Sequence, residues 1–281
     1  MTANAPTLAA TIVIPTTAGR GPLLPQSIGS VLAQTVTDIE IFIIGDGVDD
    51  PTRAVIGAQL RKDPRLRFFD HPKHPRRGEP HRHAALAEAR GKIVCYLCDR
   101  DLMRPDHVAA MTALLTDADF AHSLILAVVP DGSLRFATTI DLANAADRAW
   151  TATTWTVENG IPLSFAAHTL AMYRRLPFGW RTTPDGHFTD IYMWQQILSD
   201  RNCRARSGTR PTVLYFPRYW RNDWTAEAKV EELSQWAGKY SGEDGDSRLT
   251  AFVLDQLTKD RWHRAAQLRQ ALNRARTPSP A

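Results

Sequence analysis

The stretch Lys92-Ile-Val-Cys-Tyr-Leu-Cys-Asp-Arg-Asp101 decides the fold class, because an unbroken apolar run passes directly into charged residues. Such a run is typical of a strand that is buried on both faces of a parallel sheet. Residues 98–101 then follow the carboxyl end of that strand. In parallel sheets that are covered by helices, ligands bind beyond the carboxyl ends of the strands. The stretch therefore predicts a buried strand that leads into a ligand-binding loop.

The chain around this stretch alternates between strand and helix signals. Strands are predicted at 10–14, 40–44, 66–70 and 92–97, and helices at 23–34, 52–62, 80–90 and 106–115. Pro15 is expected to end the first strand, Thr52 to cap the second helix and Gly91 to end the third. This alternation predicts an α/β fold with a mostly parallel, twisted sheet and helices on both faces.

Beyond residue 117 the alternation weakens, which indicates an antiparallel or mixed region followed by helices. Strand-like segments lie at 120–129, 134–140, 164–173 and 213–216, and helices are predicted at 190–199, 225–239 and 248–275. We expect the last residues, 277–281, to form a disordered tail.

The composition limits the classes of protein to which the chain can belong. Hydrophobic residues make up 43% of the 281 residues and charged residues 23%, which excludes a wholly disordered, collagenous or repeat-only chain. Basic side chains number 34 and acidic ones 30, a net charge of +4 that falls short of a nucleic-acid-binding signature. No apolar run approaches the ~20 residues that cross a bilayer, and the first residues lack a secretory-signal layout. We therefore expect a cytoplasmic protein with no nucleic-acid partner.

Acidic residues follow two of the predicted strands. Asp99 and Asp101 come after the fourth, where a D-x-D pair could hold Mg²⁺ or Mn²⁺ together with phosphate oxygens. Asp46 follows the second strand and could accept hydrogen bonds from a ribose or a base. The alternative for all three is ordinary turn chemistry at the surface. The neighbouring pair Cys95 and Cys98 lacks further close zinc ligands, so we expect both to pack.

Basic side chains concentrate in residues 71–83, which lead into the third predicted helix. Lys73, Arg76, Arg77 and Arg82 suit a diphosphate, because arginine offers bidentate geometry and a helix N-terminus adds positive charge. A metal site from the four histidines of this stretch is disfavoured, and solvated charge is the alternative.

Two features of the second half carry further hypotheses. Asp190, at the start of a predicted helix, is either a general base or an N-cap. The basic residues in 259–276 either contact anionic lipid, as in a membrane-peripheral protein, or form a solvated helix face. Aromatic residues such as Tyr219 and Trp220 receive no role, because aromatic side chains are more often part of a core.

Five sequence blocks, in this order and spacing, resemble the bacterial family 2 glycosyltransferases of the GT-A fold. They are residues 11–16, 27–35, 39–47, 89–91 and 96–105. The resemblance implies an inverting transfer of a sugar from a nucleotide-sugar donor to the hydroxyl of a saccharide or other acceptor, such as a surface polysaccharide. It also implies a domain over residues 1–216, with a nucleotide-binding half at 9–116 and an acceptor half at 117–216, and a helical C-terminal extension at 217–276.

The same resemblance assigns roles to individual residues. It places Pro15, Thr16 and Asp46 at the nucleoside and Arg82 at the diphosphate or nucleoside, with Asp190 as the general base. It makes Asp99 and Asp101 the metal-binding pair for Mg²⁺ or Mn²⁺, with Asp99 beside the donor.

The chain departs from the family pattern at the D-x-D motif. Alignment on Pro105 puts Cys98 and Arg100 where the two carboxylates of the family normally stand. Arg100 is therefore a second candidate for the donor site, a fixed cation that replaces the metal against the diphosphate. After the second strand the chain has one acidic residue, Asp46, where the family usually has two.

Two alternatives to an active glycosyltransferase remain. The departures at Cys98 and Arg100 keep open a non-catalytic GT-A-like protein that binds a nucleotide or a glycan. A sugar nucleotidyltransferase is less favoured, because residues 15–21 do not reproduce its glycine-rich loop. A Rossmann dinucleotide enzyme is excluded, because no G-x-G-x-x-G follows any strand.

Overall fold

The structure of the chain is a computed structural model, and it describes residues 7–136, 140–153, 160–239 and 244–276. The predicted tail at 277–281 and residues 137–139 of the predicted strand-like segment lie outside the described residues.

The described chain contains strands, α-helices and 3₁₀-helices, and strands and α-helices alternate through its first half. The strands are β1 Leu8–Thr17, β2 Ile39–Asp46, β3 Leu66–His71, β4 Gly91–Tyr96, β5 Leu102–Met103, β6 Phe120–His122, β7 Leu126–Val128, β8 Leu134–Phe136, β9 Ala166–Thr169, β10 Ala205–Ser207 and β11 Val213–Leu214. The α-helices are α1 Leu24–Leu32, α2 Asp50–Leu60, α3 Glu79–Leu86, α4 His107–Leu114, α5 Ala145–Thr153, α6 Leu170–Arg174, α7 Thr189–Leu198, α8 Ala226–Lys239 and α9 Gly245–Arg276. Two 3₁₀-helices span Leu163–Phe165 and Arg218–Arg221.

A seven-stranded sheet in the order β10-β6-β9-β4-β1-β2-β3 forms the centre of the molecule. Strands β1 to β4 pair in parallel, whereas β9 runs antiparallel to both β4 and β6. The carboxyl ends of β1, β2 and β4 therefore lie side by side at one edge. This arrangement confirms the predicted α/β fold and its mixed second half.

Both faces of the sheet are covered, because successive side chains of a strand point to opposite sides. Ile12 and Ile14 of β1 belong to one apolar cluster with α1, α2 and α4, and Val13 belongs to the other with α3, α6 and α7. A third cluster packs Leu233 of α8 and Leu249 of α9 against β7, β8 and β11. The C-terminal helices are thus packed onto the sheet domain by a core of their own.

Three predicted element ends are wrong. Strand β1 runs past Pro15 to Thr17. The oxygen of Val13 accepts from Leu97 N, and Pro15 faces the same side two residues later, where β4 has ended. Because β4 has no residue opposite Pro15, the missing N–H of the proline costs no hydrogen bond between the two strands. Helix α2 is capped by Asp49, whose carboxylate accepts from Thr52 N at 3.0 Å, and not by the Thr52 side chain.

Gly91 belongs to β4 and does not end helix α3, which stops at Leu86. A Cβ at this position would lie 2.1 Å from Thr11 N, so glycine permits the close approach of β4 to β1. The segment 164–173 is likewise not one strand. It divides into β9 and helix α6, and the Thr169 hydroxyl caps the helix by accepting from Met172 N.

The segment 120–129 is divided as well, between β6 of the large sheet and β7, which pairs with β8. In the described part of the chain, no helix combines the length and the apolar character needed to cross a bilayer.

Candidate functional site

The carboxyl ends of β1 and β4 are joined by a buried hydrogen bond. The Thr16 hydroxyl donates to Asp99 Oδ2 at 2.9 Å, and both residues are at most 5% exposed. Two guanidinium groups lie near the same carboxylate, with Arg20 Nε at 4.0 Å and Arg100 Nη1 at 3.9 Å. The structure therefore brings together three predicted donor-site residues, Thr16, Asp99 and Arg100.

Asp101 points away from this group and into the protein. Its side chain is fully buried, and its two oxygens accept hydrogen bonds from the Ser164 hydroxyl at 2.5 Å and from Phe216 N at 3.0 Å. Burial raises the pKa of Asp101 to about 6. Asp101 thus ties the first 3₁₀-helix and the segment after β11 to the end of β4.

The side chains of Cys98 and Arg100 line a large cavity beside the strand ends. This cavity has a volume of about 1020 Å³, and Asp190 lines it as well. Burial raises the pKa of Cys98 to about 12, so its thiol is neutral at physiological pH. The Nε atom of Arg100 is buried and has no hydrogen-bond partner among the described residues. At this point the cavity wall therefore consists of the neutral thiol of Cys98 and the guanidinium cation of Arg100.

These residues do not fit a Mg²⁺ or Mn²⁺ ion. Such ions require carboxylate, carbonyl or water oxygens, whereas a thiol and a guanidinium stand at the two motif positions, and Asp190 is the one carboxylate among the described residues of the cavity wall. Both oxygens of Asp101 are already hydrogen-bonded inside the protein. Over the described ranges there is no group of three or more His, Cys, Asp or Glu placed to hold a metal. The Asp99–Asp101 metal pair stays a prediction that this donor set does not favour.

Asp190 lies in the first turn of α7 and is partly exposed. Its Oδ2 accepts from Leu163 N at 3.1 Å, which orients the carboxylate at the cavity. The N-cap of α7 is Phe188, so Asp190 is not the N-cap residue. Buried Glu79 holds this helix in place, since it accepts from the Thr189 hydroxyl at 3.3 Å and from Arg77 N at 3.1 Å. The carboxylate is thus supported from two sides.

Arg82 is a buried cation with unused donors. It is 5% exposed, its guanidinium lies 4.7 Å from the Trp180 ring centroid, and Nη2 donates to Arg77 O at 2.7 Å. Its Nε and Nη1 atoms have no hydrogen-bond partner within the described chain. Burial lowers the pKa of Arg82, although the nearby carboxylates of Asp190 and Glu79 oppose this effect. A buried guanidinium of this kind is suited to an anionic ligand.

Asp46 is held by the loop that precedes α3. Its carboxylate pairs with the Lys73 ammonium and accepts from His74 N at 2.6 Å, and the residue is 6% exposed. Neither Asp46 nor Pro15 is among the described residues that line the large cavity. A carboxylate has about four lone-pair sites, so Asp46 retains capacity for a ribose hydroxyl. The nucleoside roles of Pro15, Thr16 and Asp46 stay predictions.

Sequence reasoning missed one wall of the cavity, which the second 3₁₀-helix supplies. Arg218, Tyr219 and Trp220 line it, and so does Arg135 from β8. The Arg135 guanidinium lies 6.0 Å from the Trp220 ring centroid. The mixture of basic and aromatic residues directly after the last predicted strand was the available signal.

The fold of the chain is similar to that of several solved structures. The crystal structure of S. aureus TarS 1-349 has a TM-score of 0.58 at 13% identity, covering 80% of this chain and 69% of that one. Its complex with UDP-GlcNAc has a TM-score of 0.58 at 14% identity, covering 82% and 65%. The mannosyltransferase PcManGT from Pyrobaculum calidifontis, in complex with GDP-Man and Mn²⁺, has a TM-score of 0.51 at 16% identity, covering 90% and 82%.

At these identities the likeness shows the fold alone, which is the GT-A fold of glycosyltransferases, with helices appended at the C-terminus. Residues 11–179, more than half of the chain, match the sequence model of the family described as Glycosyl transferase family 2. The chain belongs to this family. The resemblance stated from the five sequence blocks is therefore confirmed.

Proposed function

We propose that the protein is an inverting glycosyltransferase that moves a sugar from a nucleotide-sugar donor to an acceptor hydroxyl. The observation that carries the proposal is one cavity at the carboxyl ends of the strands that holds both Asp190 and Arg100. A base for the acceptor and a cation for the leaving group are the two charges that such a displacement needs. Membership of a glycosyltransferase family supports this assignment.

Asp190 acts on the acceptor in this mechanism. Its carboxylate, oriented by Leu163 N, takes the proton of the acceptor hydroxyl as that oxygen attacks the anomeric carbon. The bond from the anomeric carbon to the diphosphate oxygen breaks on the opposite face, and its electron pair leaves with the nucleoside diphosphate. One such displacement inverts the configuration of the sugar, and the proton stays on Asp190 until solvent removes it.

Arg100 and Arg82 act on the leaving group. The diphosphate gains negative charge as the glycosidic bond breaks, and preorganised cations at that position stabilise the transition state. Arg100 follows β4, lies beside Asp99 and lines the cavity, whereas Arg82 is buried behind the cavity lining with two donors that have no partner within the described residues. We propose that these guanidinium groups neutralise the diphosphate without a divalent ion, with Thr16 and Asp99 beside the donor.

A non-catalytic nucleotide- or glycan-binding protein is the second candidate. The observation that favours it is the loss of both motif carboxylates from the cavity, where Cys98 and Arg100 stand. This candidate binds the same ligands but gives no turnover, so it is separated from the enzyme by product formation. The oriented carboxylate of Asp190 favours the enzyme.

A thermal-shift panel tests the proposed donor. UDP, GDP, dTDP and their sugar conjugates are each added with EDTA and, separately, with Mn²⁺. A ligand at ~100 times its dissociation constant stabilises the protein by ~2.7 kcal/mol, a rise of several degrees in Tm. We expect one nucleotide to raise Tm equally with EDTA and with Mn²⁺.

Release of the nucleoside diphosphate from the matching sugar conjugate then separates the enzyme from the binder. If no nucleotide raises Tm under either condition, the proposed function is wrong. Adenosine diphosphate serves as a matched control, because it carries the same diphosphate on another base.

We propose further that helix α9 contacts the cytoplasmic face of a membrane. At 100° per residue, the exposed side chains of Leu254, Trp262, Leu268 and Leu272 fall within an arc of about 120°. Arg261 and Arg269 project within the same arc. An exposed apolar stripe with arginines along it suits the interface of an anionic bilayer.

Sedimentation with lipid vesicles tests this contact. We expect the protein to bind phosphatidylglycerol vesicles at low salt and to release from them at high salt, because the arginine contribution is screened. Leu268→Glu should weaken this binding at least ~10-fold, since it places a carboxylate in the apolar stripe. Gln270→Glu adds the same charge on the opposite side of the helix and should have little effect. Equal binding of both variants would contradict the proposed orientation.

A further inference from the structure

The large cavity carries far more positive than negative charge on its walls. Among its described lining residues, Asp190 is the one carboxylate. The arginines that line it are Arg76, Arg77, Arg100, Arg135 and Arg218. Concave surfaces lined by one sign of charge concentrate ligands of the opposite sign. A neutral acceptor would leave most of this charge without a function.

The donor accounts for part of the charge. Arg100 and Arg218 also line a second cavity, of about 310 Å³, together with Gly19 and Arg20 of the loop after β1. These two arginines therefore stand between the two cavities, where the diphosphate of the donor is expected. Arg76 is compensated as well, because its Nη1 lies 2.7 Å from Asp185 Oδ1. Two arginines, Arg77 and Arg135, remain on the acceptor side.

Neither of these two side chains is held in a short ion pair. Within the described residues, no acidic side chain lies within 4.0 Å of either guanidinium, and both residues are exposed, although Arg135 is near enough to Asp131 to help lower the pKa of that carboxyl. They reach the cavity from separate parts of the chain, Arg77 from the loop before α3 and Arg135 from β8. Two guanidinium groups on different walls, neither held in a short ion pair, fit an anionic ligand that lies between them.

The surroundings of Arg135 indicate what kind of ligand this is. Its guanidinium lies 6.0 Å from the centroid of the Trp220 ring, and the centroids of the Trp220 and Tyr219 rings are 5.2 Å apart. Aromatic faces of this kind pack against the C–H face of a sugar ring. A sugar on Trp220 would hold a substituent within reach of Arg135, and arginine pairs bidentately with phosphate or carboxylate.

We propose that the acceptor is an anionic saccharide or polyol, with a phosphate or carboxylate group that Arg135 and Arg77 bind while a neighbouring hydroxyl meets Asp190. This inference rests on the proposed function, because it places the acceptor in the cavity of Asp190. It adds the chemical class of the acceptor and two residues that select it. Hydrogen bonds to charged groups contribute ~1.5–3 kcal/mol each, so the anion is expected to strengthen binding ~10- to 100-fold.

Calorimetric titration with three probes of similar length tests the inference on the full chain. The probes are maltopentaose, which is neutral, an oligogalacturonate, which carries carboxylates, and a glycerol-phosphate oligomer, which carries phosphodiesters. Each is titrated in the presence of the nucleoside diphosphate that raises Tm. We expect at least one anionic probe to bind ~10-fold or more tightly than maltopentaose, and the probe that does so identifies the anion as phosphate or carboxylate.

Variants separate specific recognition from general attraction. Arg135→Gln should lower the affinity for the anionic probe ~10-fold or more and the affinity for maltopentaose much less, so that most of the preference for the anion is lost. Arg61→Gln, an exposed arginine on the surface beyond α2, is the matched control and should change neither. Equal binding of all three probes, or equal losses in the two variants, overturns the inference.

The proposed function has a separate readout, which is the rise in Tm with nucleotide in the thermal-shift panel. If the nucleotide still raises Tm but anionic probes bind no better than maltopentaose, the acceptor class is wrong and the donor site stands. If no nucleotide raises Tm, the proposed function itself fails.

Discussion

Asp190→Asn should lower the rate of sugar transfer by ~10²- to 10⁴-fold, because the proposed mechanism gives this carboxylate the proton of the acceptor hydroxyl. An asparagine has nearly the same shape, and its side-chain oxygen can still accept from Leu163 N. It cannot take a proton at physiological pH. The measurement is the release of nucleoside diphosphate in the presence of the saccharide probe that binds best, at saturating donor.

A matched control lies in the segment just before α7. The Asp185 side chain is almost fully exposed and pairs with Arg76, so Asp185→Asn removes the same charge from the cavity rim without touching the base. We expect this variant to keep its rate within about twofold, since exposed ion pairs contribute little. The increase in Tm with the nucleotide should be the same in both variants. A rate for Asp190→Asn within tenfold of the unsubstituted protein would show that another group, or none, acts as the base.

The fold was predictable because its signals are local. The apolar runs that became β1, β2 and β4 each precede polar turn residues, and this order alone places three loops at one edge of a parallel sheet. The antiparallel insertion of β9 was predictable as a change of pattern. Its exact bounds were not, because residues 170–174 turn into a helix that the Thr169 hydroxyl caps.

The direction of the site side chains was not predictable, because contacts between distant residues decide it. Asp101 is drawn inward by Ser164, 63 residues later, and by Phe216 N, 115 residues later. Asp46 is held by Lys73 and His74 from a loop whose path the sequence does not reveal. A D-x-D spacing fixes two positions along the chain, whereas the turn after β4 and its partners decide which side chain reaches the cavity.

The alignment of the chain with the family pattern on Pro105 was the one local signal for which side chains of the turn after β4 face the cavity. It put Cys98 and Arg100 at the positions where the family has its two carboxylates, and these are the two side chains of the turn that line the cavity. Position in the turn thus correlates with exposure to the cavity more closely than residue type does. A guanidinium at a position where the family normally has a carboxylate has the opposite charge, and it repels a metal ion where a carboxylate would attract one.

The consequence is an expected independence from metal. The unsubstituted protein should keep its transfer rate in excess EDTA, because the proposed mechanism assigns to Arg100 the charge that an ion would supply. Arg100→Ala should lower the rate by ~10²- to 10³-fold, the usual cost of removing one preorganised group at a transition-state charge. Arg100→Lys should recover part of the rate, since it keeps the charge but loses the planar geometry. The measurement is the release of nucleoside diphosphate at saturating donor, with EDTA or Mn²⁺.

A carboxylate variant tests the same idea in reverse. Arg100→Asp places an acidic side chain at the cavity position of the family motif, and its rate should be low in EDTA and rise on addition of Mn²⁺ if the charge at this position is what matters. Arg206→Ala, an arginine of β10 that pairs with Asp117, is the surface control and should resemble the unsubstituted protein. Strict dependence of the unsubstituted protein on Mn²⁺ would contradict the role of Arg100, because a guanidinium that still required an ion could not be its replacement.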